Sequence, residues 1–223
     1  MTAHKQKEVG IDEQRKHTND IANITYRESV MSKQAKTLNT EELRRVLDYT
    51  ATRKHSTRNR ALVLMSFYSG CRVGELSSLT YADVVDDEGK VRDEIRLKAE
   101  NTKTKEARIV FVNAKLKKEL QQYANAYKPA DIGFKFFYSQ KRHSKGCGYN
   151  ANTLTQFFHY LYKRAGVFGA SSHSGRRTFI TNLANKGVSV RLLASLAGHR
   201  NISTTQAYID VNDDMKRHAV ELI

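Results

Sequence analysis

Cysteine, proline and long apolar runs are all scarce in this 223-residue chain. Its only cysteines, Cys71 and Cys147, cannot form the disulfide framework of a small secreted domain, so a reducing cytoplasm is the expected setting. No apolar stretch approaches the roughly 18 residues of a membrane span. The longest, Ala61 to Met65 followed by Phe67 and Tyr68, reads as a buried helix. The N-terminal region holds no apolar segment of the kind a signal peptide needs. There is no Walker-type glycine loop and no paired-cysteine signature. His143 and Cys147, beside Gly146 and Gly148, supply too few ligands for a zinc site, so no metal or cofactor is expected. Acidic residues are also short: 23 Asp and Glu stand against 38 Lys and Arg, a net charge of +15. That excess makes a polyanion the natural partner, and without a membrane span it favours nucleic acid over lipid.

Residues 1–36 carry mixed charge and few large apolar side chains, too few to build a core. They are expected to be a flexible arm or a partner-bound helix. A packed domain, 37–223, begins at Leu38-Asn39-Thr-Glu-Glu42-Leu43. Asn39 is placed to cap a helix, Glu42 falls at its third position, and Leu38 with Leu43 forms a hydrophobic staple. No linker follows, and Pro129 is the sole proline.

Helix and strand patterns alternate through the rest. Leu43, Val46 and Leu47 suit one helical face, and the apolar run to Tyr68 stops at Gly70, a natural left-handed end. Arg72 therefore lies just past a helix. Glu94 to Lys98 and Arg108 to Val112 alternate like strands and read as a hairpin, with Asn101 to Glu106 as its turn and Lys103 at its tip. Helical patterns return after Asn113, around Leu154 to Tyr162, from Arg176 to Asn185 and from Val190 to Leu196, with Gly187 and Gly198 closing the last two. The expected fold is mainly α with a small antiparallel β-sheet.

Near the C-terminus, His173-Ser-Gly-Arg176, Leu196-Ala-Gly-His199 and Tyr208 are spaced to place two imidazoles, a guanidinium and a phenol around one phosphate. Arginine forks onto phosphate oxygens, histidine donates a hydrogen bond or passes a proton, and an activated tyrosine is a nucleophile. Taken with Ser69-Gly-Cys-Arg72-Val-Gly-Glu75-Leu and Thr102-Lys103-Thr-Lys105-Glu-Ala-Arg108-Ile-Val, this ordered set resembles the tyrosine recombinase (phage integrase) family. The likeness runs from about Leu38 to the C-terminus, and the family carries Arg, Lys, His-x-x-Arg, a second His and a nucleophilic Tyr in that order.

The resemblance implies the catalytic-domain fold of that family and DNA strand transfer through a 3′-phosphotyrosine, without ATP or metal. It assigns Arg72 and Arg176 to the charge that gathers on a phosphodiester under attack. Lys103 takes the family's position for protonating the departing 5′ oxygen; Lys105 reaches the same groove, and a simple phosphate contact remains open for either. His173 assists proton transfer, and His199 donates to a phosphate oxygen. Glu75 either orients the Arg72 guanidinium or is a helix-surface carboxylate. Tyr208, on a short helix that Ser203 is expected to cap, is the nucleophile. A phenol in water is protonated at neutral pH, so attack needs a proton acceptor or a strongly cationic site. Arg177 stands where many members carry another His and adds a candidate DNA contact. Lys105, Arg108, Lys141, Arg142, Lys145 and Arg200 are the other candidate DNA contacts.

The 36 residues before the packed domain are too few for the family's N-terminal helical domain, so the chain resembles short members such as the fimbrial-switch invertases, or a truncated integrase. Double-stranded DNA, a tetramer of this chain and accessory DNA-bending proteins are the implied partners. Val220, Leu222 and Ile223 are expected to dock on a neighbouring subunit. A non-catalytic DNA-binding protein on the same scaffold and a topoisomerase-like nicking and resealing enzyme are the alternatives.

Overall fold

The structure, a computed structural model, describes residues 35–102, 105–139, 147–209 and 213–221. The chain enters along the domain at Lys36, whose amide donates to the Gly169 carbonyl at 3.3 Å and whose ammonium meets Glu42 at 2.6 Å. Helix α1 (Thr40–Ala51) starts as its sequence requires. Asn39 Oδ1 accepts from the Glu42 amide at 2.8 Å, and the Glu42 carboxylate accepts from the Asn39 amide at 3.2 Å. Leu43 and Val46 carry its buried face.

Helix α2 (Ser56–Ser69) is the centre of the domain, packed against α1, α5 and α7. Ala61 through Met65 are all buried, so this stretch has no polar stripe, as expected of a segment enclosed on every side. It ends at Gly70 in the left-handed conformation, φ +62°. A Cβ there would also meet the Phe179 ring at 2.6 Å, so glycine serves both the turn and the packing. Two short helices follow, α3 (Val73–Ser78) and α4 (Tyr81–Val84), the second capped by Thr80 and Asp83.

Strands β1 (Glu94–Leu97) and β2 (Arg108–Phe111) form the two-stranded antiparallel sheet, pairing Ile95 with Val110 and Leu97 with Arg108. Ile95, Leu97 and Val110 point inward, while Ile109 and Phe111 face out. A 3-10 turn, Ala99–Asn101, leads into the connecting loop. Helix α5 (Ala114–Ala126) buries Leu116, Leu120 and Tyr123 against α2, and Tyr123 donates to the Phe136 carbonyl at 2.6 Å. Helix α6 (Ala151–Arg164) packs on α1 and α3.

The C-terminal helices are α7 (Ser174–Asn185), α8 (Val190–Ala197), α9 (Ile202–Gln206) and α10 (Asp213–Val220). Gly175 lets α7 approach α2 closely: a Cβ would overlap the Ser66 side chain and lie 2.9 Å from its backbone. That contact fixes the next residue, Arg176, against the end of α2. The mainly helical fold with one small hairpin agrees with the sequence expectation, and the hairpin strands are each one residue shorter. Among the described residues no helix is long and apolar enough to cross a membrane.

Candidate active site

Helix α8 and its cap residue Gly198 end in three consecutive carbonyls, each receiving a different arginine. Arg108 Nη1 donates to Leu196 O at 2.9 Å, Arg176 Nη2 to Ala197 O at 2.7 Å and Arg72 Nη2 to Gly198 O at 2.9 Å. Carbonyls at a helix C-terminus lack intrahelical donors and carry the negative end of the helix dipole, so they hold cations well. Gly198, at φ +64°, turns the chain there, and a Cβ on it would sit 2.7 Å from Arg108 Cδ. Arg176 also donates to Gly70 O at 2.6 Å, joining the ends of α2 and α8. The three guanidiniums thus share a scaffold drawn from elements far apart in sequence.

Glu75 is the carboxylate within this cluster. It accepts from Arg72 through the backbone amide at 2.7 Å and Nη1 at 3.0 Å, and from Arg108 Nη2 at 2.6 Å. Burial works to raise its carboxyl; the hydrogen bond and charge of Arg108, with Arg72, outweigh that and hold it below the usual carboxylate range. Three cations against one anion leave the site strongly positive. Burial, then the neighbouring Arg72, lowers the Arg176 guanidinium to about 10, still protonated at neutral pH.

His199 follows Gly198 directly. Its Nε2 lies 2.7 Å from Arg176 Nη2 and its Nδ1 lies 2.8 Å from Thr205 Oγ1. A guanidinium has no acceptor, so Nε2 is the unprotonated nitrogen. Burial first, then the charges of Arg176, Arg72 and Arg108, pushes the imidazole down to about 4, so the ring is neutral at neutral pH. The proton therefore resides on Nδ1 and is donated to Thr205.

Tyr208 lies just beyond α9, its ring stacked on His199 with centroids 5.8 Å apart. Thr181 Oγ1 donates to its carbonyl at 3.2 Å, and the Arg177 guanidinium lies 5.7 Å from its ring centre. The tyrosine borders an open cleft of about 460 Å³ with Ala35, Ser171, His173, Arg177 and Thr204. His173 is exposed and also lines a second cleft, of about 260 Å³, with Arg72, Glu75, Asn101, Thr155 and Ser172. It therefore stands between the tyrosine and the arginine cluster.

Five of the six expected catalytic residues, Arg72, His173, Arg176, His199 and Tyr208, are gathered here; Lys103 lies outside the described residues. So do Lys141, Arg142 and Lys145. Lys105 is exposed beside the hairpin tip at φ +57°, and Arg200 is exposed and pairs with Glu106 at 3.1 Å. Arg108, a candidate DNA contact, is turned inward: its side chain is 10% exposed and engaged by Glu75 and Leu196. The strand period explains this, because the alternation that turns Val110 inward turns Arg108 inward as well. A correction concerns α9, which Asn201 caps by accepting from the Ser203 amide at 3.0 Å; Ser203 is inside the helix. Thr205, fully buried against His199, was not singled out by sequence, where it is one threonine among several.

The sequence model of the phage integrase family matches residues 36–215. The chain belongs to the phage integrase family. As a family member it is 31% identical over 190 residues to tyrosine recombinase XerA of Thermococcus kodakarensis, covering 83% of this chain and 62% of that one. It is 27% identical over 164 residues to tyrosine recombinase XerC of Lactobacillus delbrueckii subsp. bulgaricus, covering 70% of this chain and 52% of that protein. The chain thus spans between half and two-thirds of the length of these relatives. A crystal structure of XerA recombinase superposes with TM-score 0.66 at 26% identity, over 86% of this chain and 64% of that one. The Tn1549 transposon integrase, solved with a circular intermediate DNA, superposes with TM-score 0.69 at 22% identity, over 86% and 67% of the two chains, a likeness of fold.

Proposed function

We propose that this chain is a site-specific DNA recombinase that cuts and rejoins strands through a covalent 3′-phosphotyrosine. The observation that carries the reading is the seating of Arg72, Arg108 and Arg176 on the last carbonyls of α8, with His199 and Tyr208 packed alongside. Such fixed donors stabilise charge where it develops on a phosphodiester under attack and need no rearrangement at that moment. Arg72 and Arg176 would present the donors, with Glu75 and Arg108 holding Arg72 in place. The Tyr208 oxygen would bond to phosphorus as the bond to the 5′ oxygen breaks. The phenolic proton would leave by way of His173, and Lys103 would protonate the departing 5′ oxygen. Reversal of these steps by another 5′ hydroxyl would rejoin the strand.

Residues 37–223 would form the catalytic domain, with residues 1–36 as an arm ahead of it. Double-stranded DNA is the proposed substrate, met by Lys105, Arg177 and Arg200 and by the basic segment holding Lys141, Arg142 and Lys145. A tetramer on two duplexes, accessory bending proteins and a cytoplasmic setting complete the reading. A closer kinship with the fimbrial-switch invertases gains no support from the relatives named above. The exposed Val220, with Leu222 and Ile223 beyond the described residues, would dock on a neighbouring subunit. Deleting residues 216–223 is then expected to weaken cooperative synapsis while sparing single-site binding, and unchanged synapsis would oppose the docking.

The test of the main reading is incubation with nicked DNA fragments, carrying sequences from both sides of the chain's own gene, that trap a cleaved intermediate. A protease-sensitive covalent adduct is the expected result. Specific binding without any adduct would replace the reading with a non-catalytic DNA-binding role, and adducts without strand exchange would favour nicking and resealing.

A further inference from the structure

His199 meets a conflict at its Nε2. Its Nε2 accepts a hydrogen bond from Arg176 at 2.7 Å. A phosphate oxygen entering the arginine cluster is a stronger, charged acceptor for that same N–H. Once Arg176 turns to the phosphate, an unprotonated Nε2 would face the anion lone pair to lone pair. To donate to the phosphate, the neutral ring must carry its proton on Nε2 and leave Nδ1 bare.

Whatever touches Nδ1 must then be an acceptor in the first state and a donor in the second. A carboxylate or backbone carbonyl only accepts, and would lock the ring in the Nδ1–H form. A lysine or amide N–H only donates, and would lock it in the other. A hydroxyl does both by rotating its hydrogen. The group found there is the hydroxyl of Thr205, 2.8 Å from Nδ1 and fully buried on α9, with no exposure to water that could substitute for it. The same ring is stacked on Tyr208, so its orientation also sets one wall of the nucleophile's pocket.

We propose that Thr205 is a positioning residue that holds His199 through a change of tautomer, accepting from Nδ1–H in the free site and donating to Nδ1 when Nε2–H engages the phosphate. The ring carries one proton in each state: in a transient opening of the half-buried His199, Nδ1 gives its proton to solvent and Nε2 takes one from it as DNA enters. This rests on the strand-transfer reading above, which supplies the phosphate.

Two substitutions and one spectrum test it. Thr205→Val keeps the shape and removes the hydroxyl; Thr205→Ser keeps the hydroxyl. Adduct formation on nicked DNA should fall about 10- to 100-fold in the valine variant, below the full loss of a positioned donor, and return to within about threefold of wild type in the serine variant. DNA affinity should change by less than about threefold in either, because Thr205 does not touch the ligand. Nitrogen-15 NMR of the histidine rings should show His199 protonated at Nδ1 in the free protein and at Nε2 when bound to uncleaved DNA in the Tyr208→Phe background. Wild-type rates in the valine variant, a serine variant as slow as the valine one, or the same tautomer in both states would overturn the proposal. A wild-type protein that binds its DNA specifically and forms no adduct would overturn the strand-transfer reading and, with it, the role of Thr205.

Discussion

Arg108 reaches Glu75 across 33 residues of sequence, its Nη2 placed 2.6 Å from the carboxylate. Glu75 is 1% exposed and Arg108 10%, so the pair is buried, and Arg72 shares the same acid. Removing one partner of a buried pair strands the other charge. Glu75→Ala is accordingly expected to cost about 3–5 kcal/mol of stability, measured by urea denaturation. A loss under about 1 kcal/mol would mean that the carboxylate contributes no more than a surface ion pair.

Arg176 serves three acceptors: Gly70 O, Ala197 O and His199 Nε2. Alanine there would leave all three unmet and confuse folding with function. Arg176→Lys retains the charge and loses the planar fork. Adduct formation is expected to drop about 10²- to 10³-fold, with DNA affinity much less affected. Equal losses of rate and affinity would make Arg176 a backbone clamp.

His199 gives the domain a pH signature. In an unfolded chain histidine titrates near ~6.5; in the fold, burial and the three arginines hold it to about 4. Between those values the unfolded chain binds the extra proton, so stability is kept above the window and lost as pH falls through it. Glu75, with its depressed carboxyl, adds loss in the same direction at lower pH. His199→Asn should therefore lose less stability than wild type between pH values near 6.5 and 4.5, compared by urea midpoints. Parallel curves would contradict the neutral, buried imidazole.

The ends of elements were the most legible part of the sequence. Asn39 with Glu42, and Gly70 and Gly198 as left-handed stops, act through their nearest neighbours, and each is found where it was expected. The hairpin was readable from period-two alternation, yet the same alternation implied an inward Arg108 that charge alone argued against. An arginine turns inward only when an acid and free carbonyls wait for it, and Glu75 and Leu196 are brought there by tertiary folding. Asn201 and Ser203 are both good caps two positions apart, and local preference does not choose between them. The tautomer of His199 depends on Arg176 and Thr205 meeting across the fold, a relation no spacing rule contains.

The central claim is that Tyr208, stacked on His199 beside the arginine cluster, forms the bond to DNA. The most direct measurement is mass spectrometry of the proteolysed adduct from nicked DNA, run beside Tyr208→Phe. The expected result is a phosphotyrosine peptide containing Tyr208 and no adduct from the phenylalanine variant. An adduct that persists in Tyr208→Phe, or that maps to another of the 11 tyrosines, would contradict it.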